Sequence, residues 1–181
     1  ELPPRTEVTM QVEMSQEEAA MYEAQRQQAL EVLSAEQESA GAGQQHIQVL
    51  AEITRLRRFC CNPELVVPDM GIASSKLKVF STIVQELLEN NHKALVFSQF
   101  VGHLQLIKHH LAAQGFSYQY LDGSTPQKQR QRSVNAFQQG EGDVFLISLK
   151  AGGSGLNLTA ADYVIHMDPW WNPAVEDQAS D

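Results

Sequence analysis

The sequence predicts an α/β fold: a parallel sheet with helices on both faces, preceded by an α-helical appendage. Two observations predict it. Four short, mainly apolar runs after residue 74 alternate with helix-like segments, which is the spacing of βαβ units. The runs at 94–97 and 144–147 are wholly apolar, as expected of strands buried on both faces. The other two runs are 118–121 and 163–166, and 181 residues fit one domain with an appendage.

The N-terminal part is predicted to be mostly helical. Residues 8–14 alternate apolar with polar, which predicts a half-buried strand. Ser15 and Glu18 have the spacing of a capping box, so a helix is expected from there to about residue 40. Gly41 and Gly43 interrupt it, and a second helix with one apolar face follows from about 44 to 59. Residues 68–73 are interpreted as a linker.

The later helices follow from periodicity and caps. An amphipathic helix is predicted around 77–88, and another at 101–114 is closed by Gly115. Thr125 and Pro126 predict a cap and a first-turn proline before a helix to about residue 137. Asn172 and Pro173 predict one more helix. Ligands of parallel sheets bind at the carboxyl ends of the strands, and the polar or glycine-rich segments 98–99, 122–125, 148–157 and 168 onward lie there.

The charge argues against a generic DNA-coating surface, because the formal net charge is -9. Residues 1–71 hold five Lys and Arg against twelve Asp and Glu, a net of -7, and residues 72–181 hold eight against ten, a net of -2. Contact with nucleic acid must therefore be local. No apolar run is long enough to span a bilayer, and no signal peptide is present, so no membrane partner is expected. The chain lacks an initiator Met and is interpreted as an excised fragment.

The sequence predicts no metal site. The two cysteines, Cys60 and Cys61, are adjacent, a spacing at which a disulfide rarely forms, and they are expected to be reduced thiols. No Cys/His spacing typical of zinc is present. His109 and His110 are interpreted as an exposed pair on a helix, and His166 as a hydrogen-bonded histidine near the sheet edge.

Half of an ATPase site is missing from the sequence. It contains no G-x-x-x-x-G-K-[S/T] phosphate loop and no Asp-Glu pair after an apolar strand. The segment 151–157 has three glycines in four residues, which would let backbone N–H groups approach an anion, with Lys150 beside them. A tight strand-to-helix turn would also use these glycines, and the pattern alone leaves both interpretations open.

Four ordered segments resemble conserved motifs of one family. Residues 94–100 (ALVFSQF) resemble motif four, and residues 120–126 (YLDGSTP) resemble the segment after the next strand. Residues 148–158 (SLKAGGSGLNL) resemble motif five, and residues 166–173 (HMDPWWNP) lead to 176–179 (EDQA), the start of motif six. On these residues the chain resembles the second RecA-like lobe of SWI/SNF-family helicase-like ATPases, of helicase superfamily two. The bacterial single-chain members are the most similar.

The resemblance implies a RecA-like three-layer fold of the P-loop NTPase type. Residues 1–14 would be the segment leaving the first lobe, 15–71 a helical protrusion with its linker, and 72–181 the second lobe, cut within motif six. The resemblance also implies that backbone phosphates of double-stranded DNA contact Ser98, Gln99, Gly123, Ser124, Thr125 and Lys150. Hydroxyl and N–H donors suit such contacts, since they position a strand without reading its sequence. For Ser124 and Thr125, a plain helix cap is the alternative.

The nucleotide would face Gly153, Gly155, Leu156 and Asn157, where an Asn can hydrogen-bond a ribose hydroxyl. Gln178 would lie near the γ-phosphate as the one catalytic candidate, unless it is only a solvated helix residue. Trp170 and Trp171 would pack at the interface between lobes, beside DNA, or in the core. ATP and Mg²⁺ are expected in the full-length protein only, because the chain ends at Asp181, before the family's arginines. Alone, it is expected to be inactive.

The parent function implied by the resemblance is ATP-driven translocation on double-stranded DNA, with remodelling of protein–DNA complexes. Its partners would be the DNA backbone, the first RecA-like lobe of the same chain and a DNA-bound protein target. A cytoplasmic, nucleoid-associated location is expected. Two alternatives stay open: a lobe of a strand-separating DNA or RNA helicase, and a non-catalytic scaffold domain.

Overall fold

The computed structural model describes residues 6–36, 41–152 and 156–169. In chain order its helices and strands are α1 (Gln16–Glu36), α2 (Ala42–Cys61), α3 (Ser75–Glu89), β1 (Ala94–Ser98), α4 (Val101–Ala113), β2 (Tyr118–Leu121), α5 (Gln127–Gln138), β3 (Val144–Ser148), α6 (Leu149–Gly152) and β4 (Tyr163–His166). Two short 3₁₀ turns, Pro63–Leu65 and Pro68–Met70, lie between α2 and α3.

The strands form one parallel sheet in the order β2-β3-β1-β4. All five residues of β1 and of β3 are buried, which confirms the interpretation of their wholly apolar runs. Successive side chains of a strand point to opposite faces, so the sheet has a core on each face. The first core joins the sheet to α3 and α4, with Phe80, Val84, Val96, Leu104, Ile107, Leu111, Val144, Leu146 and Met167. The second joins it to α5 and α6, with Leu95, Phe97, Leu121, Phe137, Phe145, Ile147, Leu149 and Ala151.

These three layers confirm the predicted α/β architecture. Helix α4 ends just before Gly115, whose φ of +78° is a left-handed conformation that favours glycine. Pro126 is the N-cap of α5 and gives its first turn no side-chain hydrogen bond, so the cap predicted at Thr125 is wrong. The reason is local: the Thr125 hydroxyl accepts the N–H of Asp122, 3.1 Å away. The helix predicted from Asn172 lies outside the described residues.

The appendage begins with the predicted capping box. The N–H of Ser15 donates to Glu18 Oε1 at 3.0 Å, and the N–H of Glu18 donates to Ser15 Oγ at 3.1 Å. Helices α1 and α2 pack together, with the rings of Tyr22 and Phe59 6.0 Å apart. Helix α2 begins at Ala42, so Gly43 is helical and the interruption is shorter than predicted.

The strand predicted at residues 8–14 is wrong. Residues 6–15 form neither helix nor strand, and Val8 is 78% exposed. Alternation of apolar and polar residues makes a strand only where a neighbouring strand can accept its hydrogen bonds, and none lies beside this segment in the described part of the chain.

Side chains join the appendage to the sheet domain. Glu18 accepts hydrogen bonds from the N–H and the hydroxyl of Ser75 at the start of α3. Arg57 of α2 donates to the carbonyl of Pro169 at 2.8 Å, and Lys76 donates to the carbonyl of Met167 at 2.8 Å. The end of α2 and the start of α3 are thereby held against the residues that follow β4. Among the described residues, no helix combines the length and apolar character needed to cross a bilayer.

Candidate functional site

The register of the parallel strands brings the predicted site segments to one edge of the sheet. Ser98, the last residue of β1, lies opposite Ser148, the last residue of β3. Leu121 at the end of β2 lies opposite Ile147, and His166 at the end of β4 lies opposite Phe97. The four segments that leave the strands therefore start at nearly the same level. Of the predicted residues, this edge carries Ser98, Gln99, Gly123, Ser124, Thr125 and Lys150.

Asp122 organises the loop after β2. It is 8% exposed, and its Oδ1 accepts both the N–H of Ser124 at 2.8 Å and the hydroxyl of Ser124 at 2.6 Å. Its Oδ2 accepts the Tyr120 hydroxyl at 2.7 Å. The Ser124 hydroxyl therefore already donates its hydrogen bond within the loop. Two donors of the described part of this loop remain available to a ligand: the Gly123 N–H and the Thr125 hydroxyl.

The same contacts fix the protonation of this loop. Burial would raise the pKa of Asp122, but the hydrogen bonds from Ser124 and Tyr120 outweigh it and hold the pKa below its usual value. Burial, together with the Asp122 carboxylate, raises the pKa of Tyr120 to about 12. At neutral pH a charged carboxylate therefore faces a neutral phenol, and the loop has one defined pattern of hydrogen bonds.

Asp168 holds the segment after β1. Its Oδ1 accepts the Ser98 hydroxyl at 2.5 Å, and its Oδ2 accepts the N–H of Gln99 at 3.0 Å. Ser98 is 2% exposed, so in this arrangement its hydroxyl faces Asp168 and not the surface. The side chain of Gln99 reaches further out and donates to the carbonyl of Pro169 at 3.2 Å. The DNA contacts of both residues stay predictions.

Asp168 is a buried residue of this edge, and the sequence did not predict that it would hold two segments together. Burial would raise the pKa of its carboxyl group, but hydrogen bonding from His103, Ser98 and Gln99 lowers the pKa overall. One signal could have found it, since Asp168 follows the fourth strand at the edge where the other polar segments gather. The sequence could not show that a buried carboxylate would join the segments after β1 and β4.

The glycine-rich segment after β3 is packed tightly at its start. A Cβ added to Gly152 would lie 2.5 Å from the Phe97 ring, so this glycine is required by close packing of α6 on β1. Lys150 is exposed on α6, and Arg130 of α5 donates to the carbonyl of Ala151 at 3.2 Å. Gly153 and Gly155 lie outside the described residues, so a phosphate contact there stays a prediction.

Two predicted nucleotide-facing residues are described. Leu156 is half-buried and packs against the second core, whereas Asn157 is exposed. Asn157 is therefore open to solvent, and the contacts of both residues with a nucleotide stay predictions. Gln178, Trp170 and Trp171 lie outside the described residues.

Comparison with known proteins decides the family. The profile named "Helicase conserved C-terminal domain" matches residues 75–181, more than half of the chain. The chain belongs to this family. Within it, the chain is a SWI/SNF-type C-terminal RecA-like lobe, which confirms the resemblance found in the sequence. The helical segment before the sheet and the parallel order of the strands agree with this fold.

Relatives cover the whole lobe and its appendage. An "Uncharacterized ATP-dependent helicase" of Mycoplasma pneumoniae is 35% identical over 184 residues, covering 100% of this chain and 17% of the relative. The "Sulfolobus solfataricus SWI2/SNF2 ATPase C-terminal domain" superposes with a TM-score of 0.78 at 29% identity, covering 92% of this chain and 73% of that one. The "Sulfolobus solfataricus SWI2/SNF2 ATPase core in complex with dsDNA" gives 0.77 at 25% identity, covering 93% and 36%.

The chain spans between 17% and 20% of the length of three curated relatives that it matches over its whole length. The sequence holds no phosphate loop of its own. The chain is therefore the C-terminal lobe of a SWI/SNF-type ATP-dependent helicase or translocase.

Proposed function

We propose that this lobe is the C-terminal half of a motor that uses ATP to move along double-stranded DNA and remodels protein–DNA complexes. The observation that carries the proposal is the shared carboxyl edge of the sheet, where the segments after β1, β2 and β3 present N–H, hydroxyl, amide and ammonium donors. Such donors bind phosphates without reading base sequence. The similar Sulfolobus core in complex with double-stranded DNA supports this choice of ligand.

Different donors would contact the backbone of one DNA strand. Gly123 and Thr125 would donate to phosphates from a loop that Asp122 and Ser124 keep in shape. Lys150, after the neighbouring strand β3, would add a positive charge, and Gln99, after β1, would add an amide. Ser98 would act mainly through Asp168, by holding Gln99 in place.

ATP and Mg²⁺ would bind between this lobe and the first RecA-like lobe of the same chain. Asn157 would contact the ribose, with Gly153, Gly155 and Leu156 beside it, and Gln178 would lie near the γ-phosphate. The phosphate loop and the carboxylates that hold Mg²⁺ would come from the first lobe. Closure on ATP and opening on product release would then advance the motor along the strand. A DNA-bound protein in the cytoplasm, at the nucleoid, would be its target.

The test of this function uses the full-length protein. We expect ATP-dependent displacement of a third strand from triplex DNA, with no separation of the duplex strands, and no displacement with a non-hydrolysable ATP analogue. Strand separation would favour the helicase alternative. Neither activity, in a protein that binds DNA, would favour the scaffold alternative.

The 181-residue chain alone is expected to hydrolyse no ATP, with or without DNA. The reason is that its sequence contains no phosphate loop to hold the β- and γ-phosphates. Phosphate release by the purified chain, measured against a no-protein blank, checks this. DNA-stimulated turnover by the chain alone would contradict it.

Replacing Lys150 by alanine is expected to weaken DNA binding about equally for all sequences. Loss of one phosphate contact should reduce the slope of log affinity against log salt by about 1. Fluorescence anisotropy of the full-length protein across a salt series measures both quantities. Lys78→Ala is the matched control, since Lys78 is also exposed but lies on α3, outside the segments that follow β1, β2 and β3. Equal slopes for the two variants would place the DNA elsewhere.

A further inference from the structure

Three potential metal ligands meet where the appendage joins the lobe. Cys61 is the last residue of α2, His103 lies in the first turn of α4, and Asp168 follows β4. Their exposed fractions are 2%, 0% and 7%. One sulfur, one ring nitrogen and one carboxylate oxygen from these residues all lie within 4.8 Å of one another. We call these three residues the junction cluster.

The two ring nitrogens of His103 have different surroundings. The Nε2 atom of His103 is fully buried and has no hydrogen-bond partner among the described residues. The other ring nitrogen, Nδ1, lies 3.5 Å from Ser98 Oγ and 3.7 Å from Asp168 Oδ1. A buried polar nitrogen without a partner is costly, and native structures contain few of them.

We propose that the junction cluster binds one zinc-class divalent cation through Cys61, His103 and Asp168. Thiolate, imidazole and carboxylate are the protein ligands that Zn²⁺ takes, with bonds of about 2.0–2.3 Å. Tetrahedral bonds of that length place ligand atoms about 3.3–3.8 Å apart. The 3.7 Å between His103 Nδ1 and Asp168 Oδ1 falls in this range, so Nδ1 is the nitrogen that would bind the ion. Small side-chain rotations would bring in the Cys61 sulfur.

The charges of the junction cluster fit a divalent ion. One thiolate and one carboxylate would offset its charge of +2, which matters in a site shielded from water. On binding, the Cys61 thiol loses its proton to solvent and an S–metal bond forms. Two cations pack beside the cluster, and both are directed at carbonyl oxygens: Arg57 at Pro169 and Lys76 at Met167. Burial, together with the Asp168 carboxylate, raises the pKa of the Cys61 thiol to about 12, and the positive charges of Lys76 and Arg57 offset part of that rise.

A cavity adjoins two of the three ligands, Cys61 and Asp168. The cavity has a volume of about 360 Å³, lies between α2 and the residues after β4, and has in its lining both cysteines, Arg57, Lys76, Gln99 and Asp168. Water in this cavity can complete a tetrahedral site.

The bound ion would join three separate parts of the chain: the end of the appendage, the helix after β1 and the segment after β4. Since Asp168 also holds Ser98 and Gln99, the metal would fix the position of the edge proposed to face DNA. Metal binding does not itself require DNA or ATP, so it can be tested separately from the proposed function.

Titration of the metal-free full-length protein with Co²⁺ tests the site directly. We expect one equivalent per chain, with a thiolate-to-metal charge-transfer band and the visible bands of tetrahedral cobalt. Adding Zn²⁺ should remove the charge-transfer band and the visible cobalt bands. The bands should weaken as the pH falls, because binding releases the Cys61 proton. Surface histidines give no charge-transfer band from sulfur, so adventitious binding is distinguishable.

Two cysteine variants make a matched pair. Cys61→Ser should abolish the charge-transfer band, whereas Cys60→Ser should keep it, because Cys60 is exposed and outside the junction cluster. Zn²⁺ should raise the midpoint of thermal unfolding of the wild-type protein and of Cys60→Ser only. The proposal is overturned if the wild-type protein shows no such band, or if the band is lost with Cys60 and kept without Cys61.

Discussion

Replacing Gly152 by valine is expected to lower the free energy of unfolding by about 3 kcal/mol, the upper end of the usual range for overpacked cores. A Cβ at this position would already lie 2.5 Å from the Phe97 ring and 3.4 Å from Ile147 Cγ2. Phe97 cannot move aside cheaply, because it is buried and its ring stacks on His166 with centroids 5.4 Å apart. Denaturant unfolding should show a lower midpoint at an unchanged slope.

Gly43→Val is the matched control for this change. Gly43 lies in α2, and a Cβ there would meet nothing within 4 Å. Valine at an exposed helix position should be tolerated, and we expect a change within about 0.5 kcal/mol. If the two valine variants unfold alike, α6 does not pack against Phe97 as described.

Replacing Asp122 by alanine is expected to weaken DNA binding although it removes a negative charge. By electrostatics alone, loss of a carboxylate near phosphates should strengthen binding. Here the carboxylate also holds the Ser124 N–H and hydroxyl and the Tyr120 hydroxyl, so the loop that presents Gly123 and Thr125 loses its order. We expect a cost in stability of about 1–3 kcal/mol, because buried partners are left unpaired, and a larger relative loss of DNA-stimulated ATP hydrolysis in the full-length protein.

The control for Asp122 is Asp143→Ala. Asp143 precedes β3, at the opposite edge of the sheet, and accepts the N–H and the hydroxyl of Ser117. The Asp143→Ala substitution removes the same charge and a similar set of hydrogen bonds, at a distance from the proposed DNA surface. Affinity that rises or stays constant for Asp122→Ala in anisotropy measurements would show that this loop does not position DNA.

The sequence was most informative where local chemistry suffices. The capping box at Ser15 and Glu18 formed as predicted, because its two hydrogen bonds need only residues three apart. The strands β2 and β4 begin and end where their apolar runs do. The edge that carries Gln99, Gly123 and Lys150 was also predictable, since parallel strands place their carboxyl ends together.

Predictions failed where a strand or side chain distant in the sequence determines the local structure. Residues 8–14 have the alternation of a strand but no neighbouring strand within the described chain. The predicted apolar face of α2 exists, yet Ile47, Leu50 and Ile53 on it are largely exposed. The junction cluster gave no signal, because Cys61, His103 and Asp168 lie far apart in the chain and only the packing of α2 and α4 on the sheet brings them together.

The central position of β1 in the sheet affects folding while the chain is being synthesised. Ala94 pairs with Val144, 50 residues later, and with Tyr163, 69 residues later. Ribosomes add about 5–20 residues per second, so β1 waits about 3–14 s after its own synthesis for its second neighbour. Throughout that interval a strand of apolar residues has an unsatisfied edge. Nascent chains of this lobe should therefore depend on chaperones until residue 166 has left the ribosome, and slower translation should prolong that dependence.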